Sequence, residues 1–341
     1  MNGGWRGGGP PFFGFSSQVA ADGGAQLIVP PGKWLTGSFN LTSHFTLFVH
    51  KDAVILGSQD ESEWPHVALL PSYGLGRDAP GGRLSSLIFG TNLTDVVITV
   101  DSPNTDGIDP DSCMNTRIDD SFVVSGDDCI AVKSGWDEYG IKFNMPTKQL
   151  VIRRFTCISP SSAAIALGSE MSGGIEDVRA EDIKAINTES GVRIKTGGGR
   201  GAYVKNIYVR NMTLNTMKYV FWMTGDYGSH LGDQFDPNAF PVIEGINYRD
   251  IVADNVTLSA QLDGIGRHPF TDICISNVDI KLTAKPKEVQ WNCTEIQGVT
   301  NRVSPEPCGL LPQKEIECPF PKDRLPIEDV ELKTCSISAN F

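Results

Sequence analysis

Three aspartates in the stretch Asn104–Val132 have the type and spacing that acid–base chemistry requires. Asp106 and the adjacent pair Asp127 and Asp128 lie about twenty residues apart, each just ahead of an isoleucine. Clustered carboxylates cannot all ionise freely, because like charges raise one another's pKa, and a general acid and a general base need separated pKa values. These residues predict a catalytic group, provided that the fold brings them together.

Two other interpretations of these aspartates come from the same residues. Aspartates in turns often bind backbone amides, and Asp109 and Asp111, on either side of Pro110, are predicted to do so. A GDD triplet also occurs in polymerases. The net charge of −12 disfavours that class and any nucleic-acid partner, because the chain offers no basic stripe to neutralise phosphates.

The elements that must position the aspartates are predicted to be short strands. The chain contains 36 glycines and 21 prolines, few helical patterns, and 40% hydrophobic residues, enough for a sizeable core. No transmembrane span is apparent. One nine-residue template, with apolar positions 1, 4, 6 and 9 and Asp or Asn at position 8, recurs along the chain. Its copies are Ile175–Ile183, Val204–Met212, Ile243–Ile251 and Phe270–Val278, with looser copies from Cys113 and Thr147 and a partial one from Leu93.

Each copy of the template is followed by a second short apolar segment, such as DCIAV or VRIKT. Self-similarity at this period predicts a solenoid, and two or three strands per unit predict a parallel β-helix. A β-sandwich of short strands is the alternative. It gives no reason for an asparagine or aspartate at one fixed position of the template. The fold class predicted is therefore all-β.

The repeat predicts where the chemistry-bearing side chains lie. Aligning the second segments places Ile108, Ile130, Ile165 and Ile194 in one inward column. Two aspartates, Asp106 and Asp128, then lie two positions before that column on neighbouring coils, with Asp127 beside them. Two cations, Arg193 and Lys195, flank Ile194 and point outward by the period-two alternation of strands. Acids and cations are thus expected on one outer face.

Weaker signals leave alternatives open. The Gly-rich segment Thr196–Tyr203 fits an anion cradle or, more simply, a tight turn. Trp136 and Tyr139 fit a sugar platform or anchors of their own loop. Of the five histidines, only His230 is placed near a cleft.

Eight cysteines without CxxC spacing disfavour zinc and permit disulfides, whose pairing the sequence leaves open. Five N-x-[ST] sequons, at Asn40, Asn92, Asn211, Asn255 and Asn292, fit a secreted glycoprotein, whereas the first twenty residues contain no signal peptide.

In order and spacing, the motifs NTDGID, SGDDCIAVKSG, GSEMSGG, RIKT and GDYG resemble those of plant polygalacturonases, the pectin-degrading enzymes of glycoside hydrolase family 28. The resemblance runs from about Gly24 to Cys308. It implies a right-handed parallel β-helix that hydrolyses α-1,4-linked galacturonic acid with inversion and without a metal or organic cofactor. It also implies a secreted, cell-wall enzyme, expected to be a monomer, whose partner is pectin.

The resemblance also implies roles for individual residues. Asp127 is the expected general acid, while Asp106 and Asp128 are expected to activate the attacking water. Inversion would need about 6.5–9.5 Å between acid and base. Arg193 and Lys195 are expected to bind substrate carboxylates, and Tyr227 of GDYG is expected at a sugar subsite.

Three departures from the family pattern qualify these expectations. The family's GHG motif is replaced by Ser162, Ala163 and Ala164, and Val100 runs straight into Asp101 where further coils are expected. A Gly-rich start stands where the family has a helical cap and a secretion signal upstream of Gly24. The chain is thus divided into a Gly-rich, disordered start (1–24), a β-helix hydrolase domain (25–308) with a suspected internal deletion near 100–101, and a C-terminal tail containing Cys and Pro (309–341). The β-helix is thus expected to be shortened by several coils. Two alternative functions stay open: a catalytically impaired, pectin-binding solenoid, and a calcium-dependent lyase on the same type of fold.

Overall fold

The structure, a computed structural model, describes residues 25–43, 45–49, 53–74, 83–90, 96–99, 106–228 and 235–329. The Gly-rich start, the 100–101 junction, the copy at Leu93 and His230 lie outside these residues. The strands are β1 Ala25–Val29, β2 Gly32–Thr36, β3 Phe39–Asn40, β4 Phe45–Val49, β5 Ala53–Gly57, β6 His66–Val67, β7 Arg83–Leu84, β8 Ile88–Phe89, β9 Val96–Thr99, β10 Met114–Asp119, β11 Phe122–Val124, β12 Ile130–Val132, β13 Thr147–Ile158, β14 Ala163–Gly168, β15 Ile175–Lys195, β16 Tyr203–Thr224, β17 Val242–Asp263, β18 Phe270–Leu282, β19 Trp291–Thr294 and β20 Ile296–Ser304. The helices are α1 Asp137–Phe143 and two short 3-10 turns, Glu61–Glu63 and Pro326–Asp329.

The chain divides into two compact units, one of residues 1–70 and 74–102 and the other of residues 71–73 and 103–341. In the first unit, parallel pairing joins β1 to β4, β4 to β9, β2 to β5 and β3 to β8, while β6 and β7 pair antiparallel. A small core of aliphatic and aromatic side chains, including Phe45 and Leu47, fills the space between these ladders. The first unit therefore has the coiled, parallel pattern of a β-helix.

The second unit contains the long parallel ladder that the repeat predicts. Its strands pair in the order β10, β13, β15, β16, β17, β18 and β20, and all these pairs are parallel. The first residues of the template copies stand in register, as Thr147 pairs with Ile175, Ile175 with Val204 and Val204 with Ile243. The looser copies therefore belong to the same series, and the all-β, parallel β-helix prediction is confirmed.

The fixed Asp or Asn of the template marks a corner of each coil. Asp182, Asn211, Asp250 and Asn277 all have φ between 52° and 58°. Asn and Asp enter this left-handed region more readily than other residues that carry a Cβ. Their side chains also hydrogen-bond from coil to coil, as Asn277 donates to Asp250 at 2.6 Å. The corner geometry is thus the reason for the recurring residue type.

The inward column differs from the prediction at one position. Ile108 bridges Ile130 and Ile130 pairs with Ile165, as expected, but Ile165 pairs with Val192 rather than Ile194. Val192 and Ile194 are both buried apolar residues on the inner side of the strand. Because the side-chain period is two, a shift of two residues preserves every inward and outward assignment, so alternation could not detect the error.

Residues 309–329 of the predicted tail return along the ladder. The chain is fastened in turn by the disulfide Cys274–Cys318, by the Arg179–Asp323 ion pair at 3.2 Å and by the Arg153–Glu328 ion pair at 3.2 Å. Disulfides also join Cys129 to Cys157 and Cys293 to Cys308. In the part of the chain that is described, no helix has the length and apolar character needed to cross a membrane.

Candidate active site

The predicted site residues fall on five successive coils of the second unit. Their segments form one ladder, called here the site ladder: residues 106–111, 128–133, 163–168, 190–195 and 219–224. Asp127 directly precedes the second segment, and Tyr227 lies three residues after the fifth. Carboxylates occupy the first two segments, cations the second and fourth, and aromatic rings the fifth. With strands about 4.8 Å apart, the five segments extend over roughly 19 Å. A row of side chains of this length could contact several sugar units.

The three aspartates of the opening prediction meet at the start of the site ladder. The backbone N–H of Asp128 donates to Asp106 Oδ1 at 3.1 Å and to Asp127 Oδ1 at 2.9 Å. One oxygen from each of the three carboxylates lies within 4.8 Å of the others. The predicted stacking of Asp106 and Asp128 on neighbouring coils is therefore confirmed.

Asp128 is the most enclosed of the three. Its side chain is 1% exposed, and its oxygens accept from the Ser162 hydroxyl at 2.5 Å, the Ala163 N–H at 3.0 Å and Lys195 Nζ at 2.5 Å. Ser162 belongs to the segment that replaces the family's GHG motif. With this burial and these partners, Asp128 is suited to holding its neighbours in place.

Asp127 is the exposed member of the group. It lies in the turn before β12, where its N–H donates to Ser125 Oγ at 3.1 Å. Ser159 donates to its backbone carbonyl at 2.5 Å, which ties the turn to the next coil. Its carboxylate therefore stands on a restrained turn and faces solvent, as a group that must deliver a proton to a bound substrate should.

Asp106 is half-buried beside a lysine that the sequence reasoning missed. Lys133 Nζ donates to Asp106 Oδ2 at 2.9 Å and to Asp109 Oδ2 at 3.1 Å. Burial raises the pKa of Asp106, and the positive charge of Lys133 limits the increase. The repeat in the sequence could have indicated Lys133. This residue follows β12 at an outward position, in the same column as Gly168 and Lys195.

The prediction that Asp109 and Asp111 bind backbone amides in turns is wrong. Asp109 makes the ion pair with Lys133, and Asp111 accepts hydrogen bonds from the hydroxyls of Tyr73 and Ser112. Asp109 thus contacts the neighbouring segment of the ladder, and Asp111 contacts Tyr73, which is distant in the chain. The residue types of a turn do not indicate such contacts.

The cation-bearing end of the site ladder brings together the three predicted binding residues. The Arg193 guanidinium carbon lies 3.5 Å from the centroid of the Trp222 ring and 5.5 Å from that of Tyr227. Lys195 Nζ lies 5.7 Å from the Tyr227 ring and also reaches Asp128. Trp222, which the sequence reasoning missed, pairs with Arg193 across the ladder at the same outward position.

The carboxylate group also has a spacing that could hold a cation. Two ammonium groups already occupy its oxygens, since Lys133 binds Asp106 and Lys195 binds Asp128. A divalent cation would have to displace or repel both of them. The charges present therefore fit an acid–base group better than a metal site.

Two weaker motifs take their simpler interpretations. Trp136 is 1% exposed, and its ring N–H donates to Asp137 at 2.9 Å, so it anchors its loop and is no sugar platform. In the Gly-rich segment, the N–H groups of Gly199 and Gly201 donate to the carbonyl of Ala239, and Arg200 pairs with the buried Asp137. That segment is a tight turn that leaves these amides no room for an anion.

Comparison with known proteins agrees with this geometry. The model of the family Glycosyl hydrolases family 28 matches residues 86–305. A probable polygalacturonase from Vitis vinifera is 56% identical over an alignment of 400 positions that covers 95% of this chain and 82% of the relative. The alignment is longer than the 341 residues of the chain, so the grape protein contains residues without a counterpart here. The suspected deletion near 100–101 stays a prediction.

Solved structures share the fold. A hyperthermoactive exopolygalacturonase from Thermotoga maritima matches with a TM-score of 0.64 and 20% identity, covering 84% of this chain and 85% of that one. A family 28 exopolygalacturonase from Yersinia enterocolitica matches with a TM-score of 0.59 and 17% identity, covering 87% and 72%. These likenesses confirm the predicted right-handed parallel β-helix. The family match over residues 86–305 and the identity to the grape relative lead to one conclusion: the chain belongs to glycosyl hydrolases family 28 and is a glycoside hydrolase.

Proposed function

We propose that the protein hydrolyses α-1,4-galacturonosidic linkages in pectin by general acid–base catalysis. One observation carries the proposal: the site ladder places three carboxylates within 4.8 Å of one another and, on the same ladder, an arginine stacked on an aromatic ring. The relatives named above are polygalacturonases, in agreement with this substrate. Local cations let a protein of net charge −12 hold a polyanion.

The three aspartates divide the work according to their exposure. Asp127, exposed on its turn, protonates the glycosidic oxygen as the general acid. Asp106 accepts the proton of the attacking water. Asp128, buried and fully hydrogen-bonded, contributes through its N–H, which holds the other two carboxylates in a fixed relation. The expectation that Asp128 also helps to activate the water stays a prediction beside this positioning role.

The stereochemical outcome is proposed to be inversion. One oxygen of Asp106 and one of Asp127 lie within 4.8 Å of each other. This is closer than the separation of about 6.5–9.5 Å between carboxyl groups that is expected of an inverting acid and base. Both oxygens of Asp106 already accept hydrogen bonds, one from the Asp128 N–H and one from Lys133. Such a carboxylate keeps lone pairs that can hold the attacking water. Proton NMR of the first-formed anomer decides the point, and a retained configuration would contradict it.

Substrate carboxylates are proposed to bind Arg193 and Lys195, with Tyr227 contacting a sugar ring. Arg193 is the better placed of the two cations, because Lys195 already pairs with Asp128 and is 8% exposed. A guanidinium that lies flat on Trp222 presents its edge for a bidentate contact with a carboxylate. No cofactor enters the proposed reaction.

The protein is further proposed to be a secreted, monomeric cell-wall glycoprotein. The sequon residues Asn40, Asn211, Asn255 and Asn292 are exposed, as glycan acceptors must be. The three disulfides fit an oxidising compartment. A fluorescent fusion followed to the wall, and mass spectrometry of the four asparagines, test this part of the proposal.

The deciding experiment measures the release of reducing ends from polygalacturonate. The wild-type chain is expected to release them, and Asp127→Asn is expected to lower the rate about 10²–10⁴-fold with little change in melting temperature. Asp279→Asn is the matched control, since Asp279 is an exposed aspartate on β18, away from the site ladder. Undiminished activity of Asp127→Asn would contradict the proposal.

The same assay separates the two alternatives. Binding of polygalacturonate with no turnover by the wild-type chain would favour a catalytically impaired, pectin-binding solenoid. A lyase would depend on calcium and form an unsaturated product that absorbs in the ultraviolet. Turnover that is insensitive to a chelator, without that absorbance, is the outcome expected here.

A further inference from the structure

Lys133 joins two carboxylates of the neighbouring coil. It follows β12 directly, and its ammonium donates to Asp106 at 2.9 Å and to Asp109 at 3.1 Å. Its backbone is held as well, since its N–H donates to the Pro110 carbonyl at 2.9 Å and its carbonyl accepts from the Thr147 hydroxyl at 2.6 Å. The side chain is 17% exposed. This is a built contact on a restrained backbone, not a passing surface pair.

We propose that Lys133 is a positioning residue for the reaction, which holds Asp106 ionised and oriented toward the attacking water, while Asp109 keeps the Lys133 ammonium in place. The inference rests on the proposed function, in which Asp106 is the base. The Asp128 N–H occupies Asp106 Oδ1 and Lys133 occupies Oδ2, so the plane of the carboxylate is defined from two sides. Each oxygen keeps a further lone pair for a water.

The surrounding charges explain why a cation is needed at this place. Asp106 faces Asp127 and Asp128, which disfavour its ionisation, as does its burial. Lys195 cannot replace Lys133, because it is bound to Asp128 at 2.5 Å. Lys133 is therefore the cation that offsets burial and like charge at the base.

The charge on Lys133 is itself secured. Burial alone would lower the pKa of Lys133, but the carboxylates of Asp109, Glu170 and Asp106 together raise it well above its ordinary value. Asp111 lies near enough for its own pKa to be influenced by Lys133. Lys133 thus remains charged throughout the pH range in which a carboxylate base titrates, so the pH response of the pair belongs to Asp106.

The pH profile of turnover on polygalacturonate tests the proposal. Lys133→Met keeps an unbranched side chain that is one atom shorter and removes its charge. Because the pKa of Asp106 then rises, the acid limb of kcat is expected to move to higher pH by about one unit or more, the usual effect of removing an adjacent opposite charge. At the pH of the wild-type acid limb, kcat is expected to fall about tenfold with KM changed less than about twofold.

Two matched variants separate a charge effect from a structural one. Lys133→Arg keeps the charge and is expected to leave the acid limb near its wild-type position. Asp109→Asn keeps an amide oxygen that can accept from Lys133 and removes only the negative charge, so its acid limb is expected to stay or to move to lower pH. Should Lys133→Met not fold, Lys133→Gln, a neutral polar variant, is measured in its place. An acid limb that the neutral variant leaves unmoved would overturn the proposal.

A direct titration keeps this proposal separate from the proposed function. Carbon NMR of the aspartate carboxyl groups, with Asp106 assigned by its loss in Asp106→Asn, reports the pKa of Asp106 without any turnover. A higher pKa in Lys133→Met than in the wild type supports the inference. An equal pKa overturns it. A wild-type chain that releases no reducing ends would overturn the proposed function alone, and the titration would still decide whether Lys133 keeps Asp106 ionised.

Discussion

The two ends of the site ladder use charge in opposite ways. At the carboxylate end, both oxygens of Asp106 and of Asp128 are engaged by donors of this chain, including Lys133 and Lys195. At the other end, Arg193 lies on the Trp222 ring, and among the described residues no carboxylate forms an ion pair with it. At the first end the cations are bound to carboxylates of this chain, whereas at the second end the Arg193 guanidinium has no carboxylate partner among the described residues.

This difference indicates which step each end serves. A carboxylate that must exchange a proton needs a fixed orientation and a defined pKa, and both depend on partners within the protein. A cation that must bind a polyanion needs a free edge, and a flat ring can support it without consuming its hydrogen-bond donors. Substitutions at the carboxylate end are thus expected to act on kcat and those at the arginine end on KM.

The largest effect is expected from Asp106→Asn, which removes the proposed base and spares the arginine end. Loss of a general base is expected to lower kcat about 10²–10⁴-fold, with KM changed by less than about threefold. Initial rates over a range of polygalacturonate concentrations measure both constants. A rise in KM with kcat preserved would place Asp106 in binding and break the contrast between the two ends.

Next in size is Arg193→Ala, which removes the free cation. A charged hydrogen bond of about 1.5–3 kcal/mol corresponds to an increase in KM of about 10–100-fold. Because the guanidinium would bind a carboxylate, the loss is expected to be greater on polygalacturonate than on highly methyl-esterified pectin. Arg193→Lys keeps the charge but loses the planar guanidinium and its stacking, so its KM is expected to lie between those of the wild type and Arg193→Ala. Equal losses on both substrates would argue against carboxylate recognition.

A smaller effect is expected from Trp222→Ala, which leaves Arg193 without its supporting ring. The stacking of a guanidinium on an aromatic ring is worth about 0.5–2 kcal/mol, so KM is expected to rise about 2–30-fold while kcat changes little. Trp222→Phe keeps an aromatic face and is the control, with an intermediate KM. If both variants bind as the wild type does, the orientation of Arg193 does not depend on the ring.

The smallest effect concerns stability. The pKa of Asp106 is raised in the folded protein, so its contribution to stability is greatest below its unfolded pKa and is lost as the pH rises through the folded value. The melting temperature of Asp106→Asn minus that of the wild type is therefore expected to increase from pH 4 to pH 7. For Arg193→Ala the corresponding difference is expected to be flat, because arginine does not titrate in this range. Calorimetry at several pH values compares the two slopes.

Much of the fold could be predicted because the β-helix repeats a local pattern. The template copies in β15, β16 and β17 state the same inward and outward assignments, and their Asp or Asn marks corners that require positive φ. The stacking of Asp106 over Asp128 followed from that repeat. The exact register did not, since Val192 rather than Ile194 pairs with Ile165 and both choices satisfy the same alternation.

What the sequence determined by itself is the list of chemical groups and the neighbouring coils that carry them: three aspartates, Arg193, Lys195 and, through the family resemblance, Tyr227. Only the tertiary structure decided their partners, with Lys133 on Asp106, Lys195 on Asp128 and Trp222 under Arg193. The physical reason is one of scale. Alternation assigns a side chain to a face, but an ion pair or a ring contact forms only within about 3–6 Å, a distance set by the register of coils far apart in the chain.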